Sequence, residues 1–131
     1  MYFLSASHII RLHDEIIEDS GGTKGIRYSG LIFQCTEKQG MKIFGYEPYK
    51  DIFEKAAALM HCIVFLKPFI DGNKRTGVTA ALTFLEMNGI VIELDVEESI
   101  QFTLKVARGE VSVKEIADWL RKNVRPTHYI A

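Results

Sequence analysis

The chain has 131 residues, of which 47% are hydrophobic and 25% are charged, and its formal net charge at pH 7 is −1. This length suits one domain with a substantial hydrophobic core, and the near-zero net charge excludes a general attraction to nucleic acid or to membrane surfaces. The apolar run at 56–66 is too short to span a bilayer. We therefore expect a single cytoplasmic domain over residues 1–131, with no nucleic-acid or membrane partner.

The first part of the chain predicts two helices separated by a glycine-rich loop. Residues 5–19 carry apolar side chains at a helical period, and His8 and His13 within them are interpreted as surface or core-edge residues. The loop over 20–28 lacks the G-K-[ST] ending of a phosphate loop, so we predict no phosphate role for it. A short helix follows over 29–40.

The two cysteines, Cys35 and Cys62, stand far apart in the sequence. They form no C-x-x-C pair, and no histidine cluster accompanies them. Isolated cysteines are commonly buried, and thiols stay reduced in the cytosol. The sequence therefore predicts two buried free thiols.

An irregular segment over 41–50 precedes the most apolar part of the chain. Its aromatic residues indicate a loop pinned by aromatic packing, which is one of two interpretations that we keep for it. Residues 51–66 are apolar on most sides, as expected for a buried central helix. His61 within this helix is predicted to be a hydrogen-bonded core histidine.

The stretch 67–77 connects this central helix to the next one. Pro68 restricts Lys67 to extended conformations, so the incoming helix is predicted to stop there. Asp71, Gly72 and Asn73 are turn formers and helix starters, so the outgoing helix is predicted to begin among them and to run to residue 88.

This turn also has the composition of an anion site. The first amides of a helix lack internal partners and lie at its positive end, Gly72 permits close approach of a ligand, and Lys74 and Arg75 add positive charge. Asp71 is a possible ligand of a divalent cation. The combination suggests a nucleotide phosphate with Mg²⁺, and the alternative is a capped turn with solvated charges.

The C-terminal third predicts two further helices. Residues 90–94 form a short extended connector without a visible partner. Asp95 with Glu98, and Ser112 with Glu115, have capping-box spacing and start helices that run to about residues 108 and 124. The tail at 125–131 is expected to fray. The predicted fold is thus an all-α bundle of about six helices around a buried central helix.

Residues 67–76 resemble the signature of the Fic/Doc family, which reads His-x-Phe-x-(Asp/Glu/Asn)-(Gly/Ala)-Asn-(Gly/Lys)-Arg. The matching residues are Phe69, Asp71, Gly72, Asn73, Lys74 and Arg75. AMP-transferring Fic proteins carry Gly at the position of Lys74 and a second Arg at the position of Val78. Both positions therefore resemble the Doc-like, or death-on-curing, branch.

The resemblance implies a function as well as a fold. Doc-like proteins are toxins of toxin–antitoxin pairs that use ATP and Mg²⁺ to phosphorylate the translation elongation factor Tu. Their antitoxins lay a disordered segment, folded on binding, into a groove near the site.

The roles that the resemblance implies fall on nine residues. Asp71 would hold Mg²⁺, Phe69 would anchor the loop in the core, and Arg75 would clamp phosphate. Hydrogen bonds to the phosphates would come from Gly72, Asn73 and Lys74. Lys67 occupies the position of the catalytic base. In the second interpretation of 41–50 this segment is a substrate flap, in which Glu47 and Tyr49 would touch the substrate.

The sequence departs from the family at Lys67, where the signature has histidine. A neutral imidazole accepts a proton near pH 7, whereas a lysine ammonium has none of that capacity. We therefore expect weak or absent turnover. The alternatives are a catalytically inactive module that binds nucleotide or antitoxin and, second, a Fic-type AMP transferase.

Overall fold

A computed structural model describes residues 1–126 and contains six α-helices. They are α1 (Ala6–Ser20), α2 (Ser29–Glu37), α3 (Ile52–Leu66), α4 (Asn73–Met87), α5 (Val96–Ala107) and α6 (Val113–Lys122), with a 3-10 turn at Lys38–Gly40. Within residues 1–126 β-type backbone pairing is confined to three isolated bridges. The predicted all-α fold is confirmed.

Local side chains start most of these helices. Ser5, Asp51 and Asp95 each accept a hydrogen bond from the main-chain N–H three residues later, at the start of α1, α3 and α5. Ser112 and Glu115 form both bonds of a capping box at the start of α6. The helix starts thus follow from short-range chemistry that the sequence displays.

The central helix is α3, which packs against α4 and α6 and buries nine of its side chains, from Lys55 to Val64. The approach of α4 to α3 depends on Gly77, since a Cβ atom there would overlap Val64 Cγ2 and lie 3.2 Å from Met60 O. A glycine in the interior of a helix lowers helix propensity, and here it permits this close helix contact.

The two cysteines form a disulfide, so the prediction of free thiols is wrong. Cys35 of α2 and Cys62 of α3 are both buried, and their Cα atoms are 5.3 Å apart, within the range that a disulfide requires. The pairing depends on α2 packing against α3, which the spacing of the cysteines in sequence does not reveal.

The C-terminal connector finds a partner that the sequence did not show. Ile92 forms an antiparallel bridge with Val124, and Arg125 N–H donates to Val91 O at 2.8 Å. The remainder of the tail predicted to fray, from residue 127 on, lies outside the described residues. No helix within residues 1–126 is long and apolar enough to cross a membrane.

Candidate functional site

The loop between α3 and α4, residues 67–72, begins with a backbone conformation that differs from the prediction. Lys67 caps α3 in the left-handed region, with φ 54° and ψ 62°, rather than in an extended conformation before Pro68. Its N–H still donates to Ile63 O at 3.2 Å, as in the left-handed caps that end many helices. The helix therefore stops where expected, through different geometry.

Phe69 fastens the middle of the loop to the core. It is fully buried, and the ring of His13 from α1 stacks on it with centroids 3.8 Å apart and planes 5° apart. His13 Nε2 donates to Asp71 O at 2.8 Å. His13 is thus a buried support of this loop, and its part in the site was missed by sequence reasoning.

Asn73 closes the loop through its side chain. Its Oδ1 accepts from Phe69 N–H at 2.9 Å, and its Nδ2 donates to Phe69 O at 2.9 Å. Both ends of the amide are therefore engaged inside the protein. A donor that Asn73 offers to a phosphate would be its main-chain N–H.

The N-terminus of α4 is open toward ligands. Gly72 is the N-cap, with φ 79° and no side-chain capping bond. The first main-chain hydrogen bond of the helix runs from Thr76 N–H to Gly72 O at 2.9 Å. The amides of residues 73–75 precede that bond, and the side chains of Lys74 and Arg75 beside them are exposed. The structure thus brings the residues predicted to bind phosphate together at one helix end.

Asp71 lies beside this helix end and remains an anion. Its Oδ2 accepts from Thr23 N–H at 3.0 Å, and its Oδ1 accepts from Gly72 N–H at 2.8 Å. These two backbone hydrogen bonds, with the charges of Arg75 and Lys74, hold the pKa of the Asp71 carboxyl below its ordinary value. Each oxygen keeps a further lone pair for a cation.

The glycine-rich loop over 21–25 forms one wall of the site, although we predicted no phosphate role for it. Besides Thr23, it offers Gly25 O as acceptor to Ile70 N–H at 3.1 Å. A Cβ atom on Gly22 would lie 2.8 Å from Asp71 Oδ2. The signal in the sequence was the cluster of glycines, which marks close backbone approach.

Lys67 is half-buried at the edge of the site. Its Nζ donates to Phe65 O at 3.3 Å and lies 6.0 Å from the centre of the Phe65 ring. The half-buried ring of His61 stacks on the Phe65 ring with centroids 5.4 Å apart. It forms no side-chain hydrogen bond within residues 1–126, so the prediction of a hydrogen-bonded core histidine is wrong. Burial, with the charge of Lys38, lowers the pKa of His61.

The flap segment, 41–50, forms a tight two-residue turn. Ile43 and Tyr46 exchange main-chain hydrogen bonds of 2.8 and 2.9 Å, and Phe44 at the tip is fully exposed with φ 49°. The exposed rings of Phe44 and Tyr46 do not pin this turn, whereas Tyr49 is half-buried. The interpretation as a loop fixed by aromatic packing therefore fails at the tip of the segment.

An ion pair holds the flap segment to α3 instead. Lys55, only 3% exposed, donates from Nζ to Glu47 Oε1 at 3.0 Å. Because Lys55 precedes Lys67 by twelve residues in one helix, the two backbone positions are about 18 Å apart along its axis. Tyr49 lines a separate cavity of about 310 Å³ against α6. Within residues 1–126 neither predicted flap residue forms a hydrogen bond or ion pair with the loop at 67–72.

The Glu47–Lys55 pair predicts a loss of stability in acid. Its hydrogen bond and the charge of Lys55 lower the pKa of Glu47 below the ordinary 4.5, so the stabilisation is complete above that pH and is lost as the pH falls through the lowered pKa. Melting temperatures measured from pH 6 to pH 3 should fall less steeply for Glu47→Gln than for the wild type. Parallel curves would contradict this prediction, because Asp51 and Asp71 also have lowered pKa values but titrate in both proteins.

A groove of about 370 Å³ runs between α4 and α5 and reaches the N-terminus of α4. Its walls are mostly apolar or hydroxyl-bearing, and two cations stand at its end. The lining residues are Lys74, Arg75, Val78, Thr79, Ser99, Ile100, Thr103 and Leu104.

Comparisons with known proteins agree with this fold and loop. Residues 3–85, more than half of the chain, match the model of the Fic/DOC family, and the chain belongs to that family. It is 34% identical over 122 residues to "Protein kinase doc" of Escherichia phage P1, covering 93% of this chain and 95% of that protein. It is 31% identical over 99 residues to "Toxin Doc" of Mycolicibacterium smegmatis, covering 74% and 76%. These relatives place it in the Doc-like branch.

Proposed function

We propose that this protein is the Doc-like toxin of a toxin–antitoxin pair. We further propose that it transfers the terminal phosphate of ATP to a hydroxyl of a translation factor, elongation factor Tu, with Mg²⁺. One observation carries the proposal: at the open N-terminus of α4, amides without a partner among residues 1–126 converge with Lys74, Arg75 and the Asp71 carboxylate. Both Doc relatives, one of them named a protein kinase, support the assignment.

The chain's own residues divide the work of phosphate binding. The main-chain amides of 73–75 would hold phosphate oxygens by hydrogen bonds aligned with the helix dipole. Lys74 would add a point charge, and the planar guanidinium of Arg75 would bind two oxygens at once. A site with three kinds of donor at one helix end suits a polyphosphate better than a single carboxylate.

Asp71 fits a role as the protein ligand of Mg²⁺. Magnesium sites of nucleotide enzymes use one or two carboxylates together with substrate phosphates. Within residues 1–126 no three or more His, Cys, Asp and Glu side chains are grouped so that they could hold a metal ion. In the proposed site, Asp71 would bind the ion together with the phosphates of the nucleotide. When bound, the ion supplies neutralisation of phosphate charge.

Lys67 limits the transfer step in this proposal. The hydroxyl oxygen of the target forms a bond to the terminal phosphorus, the bond from phosphorus to the bridging oxygen breaks, and ADP leaves. The hydroxyl proton needs an acceptor, and a lysine ammonium already carries its full complement of protons. Lys67 therefore also favours a second candidate function, an inactive module that binds nucleotide or antitoxin. An AMP transfer is less favoured, because Lys74 and Val78 replace the Gly and Arg of AMP-transferring relatives.

We propose that the groove between α4 and α5 receives the antitoxin. An amphipathic helix that folds on binding would place apolar side chains on Val78, Ile100 and Leu104. Acidic residues at its end would face Lys74 and Arg75. Such a partner would cover the phosphate-binding residues at the N-terminus of α4 and so block nucleotide binding.

Nucleotide binding tests the proposed site directly. ATP with Mg²⁺ should raise the melting temperature, since a ligand at 100 times its Kd adds about 2.7 kcal/mol to the free energy of unfolding. Arg75→Ala should remove most of the shift, measured by differential scanning fluorimetry. Arg11→Ala, which deletes an exposed arginine on α1, is the matched control and should retain it.

The same titration separates the Mg²⁺ role of Asp71 from its role in the loop. Asp71→Asn should weaken ATP binding when Mg²⁺ is present and leave binding in EDTA unchanged. No shift for the wild type at millimolar ATP with Mg²⁺ would reject the proposed site.

A further inference from the structure

We propose that Ser20, the last residue of α1, positions the guanidinium of Arg75 for phosphate. The inference rests on the proposed function and adds to it a residue outside the family signature. Ser20 would touch no ligand itself. It would act through Arg75, as a positioning residue.

Two oxygens at the end of α1 hold the Arg75 side chain. Arg75 Nη1 donates to Ser20 Oγ, and Nη2 donates to Gly21 O at 3.2 Å. The Ser20 hydroxyl in turn donates to Ile16 O at 2.7 Å. Because that bond directs the hydroxyl proton of Ser20 toward Ile16 O, the lone pairs of Ser20 Oγ are free to accept from Arg75.

The electrostatics of α1 favour the same arrangement. The carbonyl groups at a helix C-terminus carry partial negative charge, which stabilises a cation beside them. α1 has no basic residue of its own in its last turn, so Arg75 of α4 occupies that place. The attraction holds an exposed arginine in one position before any ligand arrives.

The neighbouring backbone confirms how closely the end of α1 meets the site. A Cβ atom on Gly22 would lie 3.4 Å from Arg75 Nη2 and 2.8 Å from Asp71 Oδ2. The Ile17 side chain reaches both Gly22 and Gly72, within 2.9 Å of the place where each would carry a Cβ atom. The end of α1, the glycine-rich loop and the N-terminus of α4 therefore form one packed unit.

This holding of Arg75 has a consequence for affinity. A guanidinium has five N–H donors, and the contacts to Ser20 and Gly21 use two nitrogens while leaving donors for a phosphate. A long side chain that is already ordered loses less conformational entropy when the ligand binds. Ser20 should therefore strengthen phosphate binding without contacting phosphate.

A double-mutant cycle with Mg²⁺-ATP tests this role. Ser20→Ala should weaken binding by about two- to tenfold, the cost of ordering one side chain, as measured by calorimetric titration. Ser20→Thr, which keeps the hydroxyl, should restore the wild-type affinity. In an Arg75→Ala background Ser20→Ala should have no further effect. Ser7→Ala, an exposed serine at the other end of α1, is the control and should bind like the wild type.

A second measurement on the ligand-free protein separates this inference from the proposed function. The heteronuclear NOE of Arg75 Nε–Hε should report a rigid side chain in the wild type and a mobile one in Ser20→Ala. If Arg75 is rigid through Ser20 but the wild type fails to bind Mg²⁺-ATP, the proposed function is rejected. Equal affinity of Ser20→Ala and wild type, or an equal loss in the Arg75→Ala background, would overturn the role of Ser20.

Discussion

Lys67→His is expected to raise the rate of phosphate transfer to elongation factor Tu by about 10²- to 10⁴-fold, the usual contribution of a general base. The replacement places an imidazole, which accepts protons near neutral pH, at the end of α3. Histidine is among the residues that adopt the left-handed backbone of position 67 most readily. Within residues 1–126 the side chain of Lys67 hydrogen-bonds only to Phe65 O in its own turn, so the fold should not change.

Labelled ATP with purified elongation factor Tu would measure this gain, and expression without an antitoxin would show it as toxicity. Lys67→Gln, a side chain without a basic nitrogen, is the control and should stay as slow as the wild type. Lys67→His combined with Arg75→Ala should lose the gain. Equal labelling by wild type and Lys67→His would show that lysine is a competent base here, and binding of ATP without labelling by either would favour the inactive module.

Removal of the Cys35–Cys62 disulfide should lower the free energy of unfolding by about 3.5 kcal/mol, from the loop entropy of a 27-residue separation. For a chain of this size that loss corresponds to a fall in melting temperature of about 10–15 °C. The disulfide encloses residues 36–61, which include the whole flap segment and most of α3. It therefore restricts the conformational entropy of this segment in the unfolded chain.

Melting of the wild type with and without a phosphine reductant would measure this effect. Cys35→Ala combined with Cys62→Ala is the matched control, and its melting temperature should not respond to the reductant. Two free thiols per chain, titrated in denaturant without reductant, would contradict the disulfide itself.

The helices could be predicted because their signals are local. Apolar periodicity, together with caps such as Asp95 and Ser112 that act within three residues, locates α5 and α6 before any tertiary contact is considered. The buried central helix followed from an apolar surface on most sides of 51–66. Its buried lysine could not be foreseen, because the pairing of Lys55 with Glu47 depends on how the flap segment returns to α3.

The site was predictable only in part, for a similar reason. A short motif was enough to place Gly72, Lys74 and Arg75 at a helix N-terminus. The side-chain bonds of Asn73 to Phe69, the stacking of His13 and the contacts of Ser20 join residues from separate segments. Pairing of the cysteines belongs to the same class, since it requires α2 to meet α3.

The division of labour inside the loop at 67–72 has an evolutionary consequence. Phe69 and Asn73 secure the loop from within, whereas the side chain of Lys67 contributes little beyond a bond within its own turn. A codon change at 67 would therefore arm or disarm the chemistry while the fold and the ligand surfaces persist. A lineage carrying the lysine form would retain a folded protein able to bind a cognate antitoxin. A change of residue 67 to histidine would then restore the proposed activity without passing through an unfolded protein.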